Sequence, residues 1–375
     1  SETLALRTLL DARTFVAGIS YHSYSELVLY PYGYADNAGA PDAAALSDLA
    51  VRMAQLIPAQ GGGTYTPQVS WQLYPAAGVT DDYAYGRHGI FFYTIELGTV
   101  FIPPGSLVPT ICSDNAAAAL LLLNRVDTAT LTGHVSDASN SAPLAASVHV
   151  HRIDDAGAYR EPYTCDAQFG RYYRMLMPGV YTVTVAAFGY TPLTTNGITI
   201  NTAGQTRLDI ALAPLPRSNV AGRLQDVDTL LPITNGVIHI TNAAKLSAAT
   251  DAAGLFLLTN VPAGTHEVVA RARGYAPQRE PLAAHGAPTN IVVRMHAALF
   301  ESFEGSGFDP LWSFANTPWT IVSGMHCDGK TPRAQAPSAT AGTRSLKPRS
   351  TCACPAKSRS GARSPAKQVG TFCTS

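Results

Sequence analysis

Two periodicities divide the chain. Up to about residue 125, helix-like and strand-like stretches alternate. LALRTLLDA has helical spacing, and AALSDLAVRMAQLI sets leucine, valine, methionine and isoleucine on one stripe of a helix. FVAGISYH and ELVLYPY read as buried strands. FFYTIELG (91–98) is a continuous apolar run bounded by glycines, as in a central strand covered on both faces. PTICSDNAAAALLLLNR predicts a closing helix. The alternation predicts an α/β segment over 1–125, a mixed sheet with flanking helices.

From about residue 127 the period falls to two. TLTGHVSD, ASVHVHRI, VYTVTVAAFGY and TRLDIALA predict strands separated by turns. The pattern then recurs: LTGHVSD (131–137) matches VAGRLQD (220–226), MPGVYTVTVAAFGYTP (177–192) matches VPAGTHEVVARARGYAP (261–277), and TRLDIAL (206–212) matches TNIVVRM (289–295). Two copies of about 85 residues, over 127–214 and 217–297, are each long enough for a small all-β sandwich. The proline-punctuated APLPRS links them. Residues 298–324, with two tryptophans, predict the start of a third, jelly-roll-like β-domain. After Gly324 the periodicity ends. Residues 325–375 are too poor in large apolar side chains to fold alone, and read equally as a disordered basic linker or as an out-of-frame continuation.

Charge sharpens that division. The formal net charge is zero, yet residues 325–375 hold nine of the 26 Lys and Arg and one of the 26 acids. The first 324 residues therefore carry 17 basic against 25 acidic side chains, and no broad basic face for nucleic acid appears in them. No apolar run is long enough to span a bilayer. The chain opens without methionine or signal peptide on what reads as a helix already in progress, so a missing upstream part is expected. The cysteines lack Cys-x-x-Cys spacing, which argues against a structural zinc site.

The candidate chemistry lies in the first segment. His22, in GISYHSYSELVLYPYGY, reads by itself as a core histidine, since a zinc site needs at least three protein ligands. Glu96 ends an apolar run and by itself reads equally as a solvent-facing strand-end acid or as a carboxylate kept for proton transfer. His149 and His151 of HVH share a strand face and read as sandwich surface residues, and His88 reads as a loop residue.

Three stretches change this when taken together: SYHSYSELVLYPYGY (20–34), LYPAAGVTDDYAYGRHGI (73–90) and FFYTIELG (91–98). They resemble the C-terminal half of the catalytic domain of zinc metallocarboxypeptidases, the carboxypeptidase A/B-like family, over roughly residues 1–125. The resemblance implies that His22 is the third zinc ligand, that Ser23 and Tyr24 line the substrate groove, and that Tyr74 closes on the terminal carboxylate. It implies that Asp81 floors the pocket for the last side chain, where an acid would favour C-terminal Lys or Arg, and that Glu96 is the catalytic base acting with zinc-activated water. It also makes Ser23–Tyr24 and Pro31–Tyr32 candidates for cis peptide bonds. The substrates it implies are peptide or protein C-termini. The family's His-x-x-Glu motif, which supplies the other two zinc ligands, is absent, so the chain as it stands is expected to bind zinc weakly and hydrolyse nothing. The two repeats resemble transthyretin-like, carboxypeptidase regulatory-like domains, through MPG and VPAG with GYTP and GYAP. Such modules imply an extracellular or cell-surface location. The rival reading is a non-catalytic surface protein whose β-sandwiches bind a surface or glycan partner.

Overall fold

The alternating helices and strands of the N-terminal segment close around a mixed four-stranded sheet. In this computed structural model residues 2–298 are described, apart from Asn242, together with four short strands, Trp312–Phe314, Thr320–His326, Pro332–Gln335 and Leu346–Pro348. The expectations for residues 299–324 and for the tail otherwise lie outside the described residues. Two units result, residues 1–215 and residues 216–375.

The sheet comprises β1 (Ala17–His22), β2 (Leu27–Tyr30), β3 (Thr66–Val69) and β4 (Phe91–Glu96), in the order β1-β4-β2-β3. β4 is parallel to β1 and antiparallel to β2, so the apolar run FFYTIE occupies an interior position, as its composition predicts. Helices α1 (Glu2–Ala12), α2 (Ala43–Ala54), α3 (Thr80–His88) and α4 (Val108–Arg125) flank it. Strand alternation sorts the side chains onto two faces. Val28, Tyr93 and Ile95 meet Leu46, Leu49 and Met53 of α2 and Ala118 and Leu122 of α4 in the main core. On the other face Phe92 packs with Leu10 of α1 and with Tyr83, Ala84 and Ile90.

α3 was not legible as a helix, and His88 is its last residue rather than part of a loop. TDDYAYGRH carries no apolar stripe. Its acids in the first turn and basic residues in the last turn favour the helix dipole, and Gly89 ends it in the left-handed region. A Cβ at Gly89 would also lie 2.8 Å from the Tyr163 ring.

In the first sandwich, β5 (Thr130–Asp137), β6 (Ser147–Val150), β7 (Arg171–Met175), β8 (Gly179–Ala186), β9 (Leu193–Ile200), β10 (Gln205–Arg207) and β11 (Ile210–Leu212) form two sheets. β5 pairs with β7, β10 and β11, and β6, β8 and β9 make the second sheet over a core that includes Leu131, Val148, Tyr172 and Val183. The second copy repeats this with β12 (Arg217–Asp226), β13 (Val237–Ile240), β14 (Ala243–Ala249), β15 (Leu255–Pro262), β16 (Gly264–Arg271), β17 (Gln278–Ala284) and β18 (Thr289–Met295), its sheets being β15-β12-β18 and β14-β13-β16-β17. The repeated motifs have a physical role. Asp137 and Asp226 end β5 and β12, and each carboxylate gathers nearby donors, with Ser139 and the Thr229 amide foremost. The tyrosines of GYTP and GYAP, Tyr190 and Tyr275, bond to them as well. Both carboxyls are held below the usual carboxylate range.

Within residues 1–215 the α/β segment and the first sandwich share a buried ionic cluster. Asp42, at the N-terminus of α2, does not cap that helix. Its carboxylate instead accepts from Tyr85 Oη (2.8 Å) and from Arg174 Nη2 (3.4 Å) of β7. Arg174 also donates to both oxygens of Asp154, at 2.8 and 2.9 Å, and Arg160 pairs with Asp154 and lies 3.5 Å from Asp42. All four side chains are less than a tenth exposed. Tyr32 Oη donates to Tyr159 O (2.6 Å), the Glu161 amide to Gly86 O (2.8 Å), and Arg125 Nη2 to Leu176 O (2.6 Å).

Candidate active-site cleft

The register of the parallel β1–β4 pair sets His22 beside Glu96 and Ser20 beside Thr94. Paired residues of adjacent strands share a face, so all four side chains open to the same side of the sheet. The Leu97 amide donates to His22 O (2.9 Å), which locks the ends of the two strands together. These residues line a cleft of about 580 Å³ whose other walls include Leu29, Ser70, Leu73, Tyr74 and Asp81. That volume suits a small ligand or one large side chain with its chain end.

Of the residues singled out from the sequence, His22, Tyr74, Asp81 and Glu96 meet in this cleft. Tyr74 is largely exposed, while Asp81 and Glu96 are buried. Burial pushes the Glu96 carboxyl above its ordinary value, and the charge of His22 opposes the shift. Burial also raises Asp81. A hydrogen bond from Ser70, whose Oγ lies 3.0 Å from both Asp81 Oδ2 and Tyr30 O, opposes it, and His22 does so more weakly. Ser23 lies in an adjoining cleft that also includes His22, with its Oγ donating to Phe101 O (2.9 Å). Tyr24 lines neither cleft and is half exposed. The Ser23–Tyr24 and Pro31–Tyr32 bonds are both cis.

Ser20 and Thr94 were missed, although strand parity, two residues before His22 and Glu96, could have found them. Ser70 had no local signal, because it reaches Asp81 from the turn after β3. Asp82 points elsewhere. Its Oδ1 accepts from the Gly33 amide (2.8 Å), and its Oδ2 is buried without a hydrogen-bond partner. Burial pushes this carboxyl up to about 6, against the Gly33 amide, and the Asp81 charge adds to the rise. The folded form thus holds a proton that the unfolded chain, near pKa ~3.9, releases, so this group's contribution to stability falls as pH rises from about 4 to 6. Asp82→Asn is expected to flatten that fall, so the variant gains denaturation midpoint relative to the parent between pH 4 and 7. Parallel urea titrations at both pH values would measure it, and an unchanged difference would contradict the assignment.

A catalytic zinc needs about three protein ligands. In the cleft His22 supplies one imidazole beside the two carboxylates. Among the described residues, the grouping of three ligating side chains close enough to share an ion lies elsewhere, at His149, His151 and Asp155. The cleft residues of this chain therefore do not by themselves make up a three-ligand zinc site.

The chain thus sets a histidine–glutamate pair at the strand ends of a mixed sheet and follows it with two β-sandwiches. Residues 1–118 match the zinc carboxypeptidase family, and residues 130–213 and 219–296 match the carboxypeptidase regulatory-like domain. Carboxypeptidase D of Drosophila melanogaster is 29% identical over 247 residues, covering 60% of this chain and 17% of that protein. Carboxypeptidase D of Homo sapiens is 28% identical over 231 residues, 56% of this chain and 16% of that protein. The zinc carboxypeptidase of Saccharothrix mutabilis subsp. capreolus is 37% identical over 119 residues, 29% of this chain and 26% of that protein. The chain thus spans about a sixth of the length of these carboxypeptidase D relatives.

Proposed function

We propose that residues 1–118 furnish part of the active site of a secreted or cell-surface metallocarboxypeptidase that removes C-terminal residues from peptides. In this reading His22 gives one zinc ligand and the remaining ligands come from outside this cleft. Glu96 holds and passes a proton, Tyr74 closes over the substrate's terminal carboxylate, and Ser23 and Tyr24 border the groove on the side of the preceding residues. Asp81 receives the terminal side chain. The observation that carries the reading is the register of His22 against Glu96, with Tyr74 and Asp81 on the same cleft. Among the described residues no helix is long and apolar enough to cross a membrane.

The raised pKa of Asp81 bears on specificity. A buried carboxyl gains most from a cationic partner, which favours its ionised form, whereas an apolar side chain leaves the cost of burial uncompensated. The intact longer protein is therefore expected to release C-terminal Arg and Lys faster than C-terminal Phe. The test compares kcat/KM for peptides differing in that one residue, and preference for Phe would remove Asp81 from the role. The chain of 375 residues alone is expected to release neither. Hydrolysis that this chain sustains and His22→Ala abolishes would refute the need for outside ligands.

A further inference from the structure

We propose that His149, His151 and Asp155 of the first sandwich form a surface site for a divalent transition-metal ion, Zn²⁺, Ni²⁺ or Cu²⁺, separate from the cleft. His149 lies in β6 and His151 just past the end of that strand, with both rings facing the same side. The ring centroids are 4.8 Å apart and nearly perpendicular. Asp155 sits opposite, with Oδ1 2.7 Å from His149 Nε2 and Oδ2 3.2 Å from His151 Nδ1. One ligating atom from each residue lies within 4.8 Å of the other two.

The donor set decides the class of ion. Two imidazoles and one carboxylate suit borderline metals, whereas Ca²⁺ and Mg²⁺ prefer all-oxygen sites. With both rings neutral the cluster carries one negative charge, and its partly exposed side chains leave room for a solvent ligand in the remaining position.

The surroundings fix the ligands in the way metal sites require. The second nitrogen of His151, Nε2, lies 2.8 Å from Thr184 Oγ1, which in turn lies 2.8 Å from Thr194 Oγ1. That contact sets the ring's orientation and leaves Nδ1 turned toward Asp155, the outer-sphere arrangement typical of ligating histidines. The turn that carries Asp155 is equally fixed. Its Oδ2 accepts the Arg152 amide (3.0 Å). The preceding residue, Asp154, accepts the Val150 amide (2.7 Å) and is held by Arg174 in the buried ionic cluster. The exposed carboxylate is thus anchored through its neighbour to the core, and an ion entering the site would meet three groups already facing one another.

The experiment is calorimetric titration of ZnCl₂, with NiCl₂ in parallel, into the chelator-treated chain. We expect one saturable ion per chain. His149→Gln and His151→Gln should each weaken binding by about 100-fold or more, and Thr184→Val by about tenfold, since outer-sphere partners of ligating histidines matter on this scale. His22→Ala should leave stoichiometry and affinity unchanged. A chain that binds neither ion saturably would overturn the proposal, as would binding that survives the His149→Gln/His151→Gln pair or disappears with His22→Ala. Unchanged urea midpoints for the glutamine variants without metal would separate loss of a ligand from loss of fold, and Thr184→Val gives an independent reading that leaves all three ligands in place.

Discussion

Arg174→Ala is expected to destabilise the N-terminal unit by about 3–5 kcal/mol, the scale on which loss of one partner strands a buried charge. In the wild-type chain two acids, Asp42 and Asp154, face two arginines, Arg160 and Arg174. Burial alone would lower the basicity of Arg174, yet Asp42 and Asp154 together outweigh it and hold the guanidinium more basic than usual. Burial likewise pushes Asp154 up, and the hydrogen bonds and charge of Arg174, together with the charge of Arg160 and the Val150 amide, more than reverse this, leaving the carboxyl below its ordinary value. Removing Arg174 leaves two carboxylates to one guanidinium and frees Val148 O from a bond of 3.1 Å. Removing a matched pair is a different perturbation. Arg174→Met combined with Asp154→Leu leaves Asp42 with Arg160, and is expected to be markedly more stable than Arg174→Ala alone. Urea denaturation of the single and double variants makes the comparison. A double variant as unstable as Arg174→Ala would show that lost packing, not stranded charge, dominates. Acid weakens the same cluster. Because the folded pKa of Asp154 is depressed, its contribution is present above the unfolded value of ~3.9 and is lost as pH falls through the folded value.

The cluster marks where sequence reasoning runs out. Asp42 and Arg174 are 132 positions apart, and neither stands in a pattern that announces a partner. Local periodicity did show the helices α1, α2 and α4, the strands β1, β2 and β4, and both sandwich repeats, because burial on one face imposes a period that survives in the residues. It failed at α3, whose side chains are mixed around the helix and whose end depends on Gly89. It failed also at β3, a four-residue strand containing Pro67 at the sheet edge. In the cleft, His22 and Glu96 each had a bland reading by themselves, and only the family resemblance of the three stretches, at matching spacing, suggested a site that also takes in Tyr74 and Asp81. The fold gives that spacing a physical basis, since the β1–β4 register alone sets His22 beside Glu96. Ser70 and the pairing of His149 and His151 with Asp155 depend on turns, whose geometry leaves no periodic trace in the sequence.

In the metallocarboxypeptidase proposed above, Glu96→Gln is expected to lower kcat by about 10²–10⁴-fold, the usual contribution of a positioned acid–base group, with KM little changed. The substitution preserves shape and one carbonyl oxygen on the strand end but removes the titrating proton. Glu96 suits this proposed role because its carboxyl is buried, is raised above the ordinary value by that burial, and shares a cleft face with His22. A group with a raised pKa also leaves a mark in the pH profile. The acidic limb of kcat/KM should lie higher in the wild type than an ordinary glutamate would set it, and should be lost or displaced in the variant. Thr94→Val is the matched control, since it alters the same strand face two residues away without touching a titrating group, and is expected to change kcat far less. Measuring both profiles against one peptide separates a proton role from a packing role. Retention of more than about a tenth of wild-type kcat in Glu96→Gln, with the acidic limb unmoved, would assign the proton transfer to another residue. Asp81, the other raised carboxyl of the cleft, would then be the first to test.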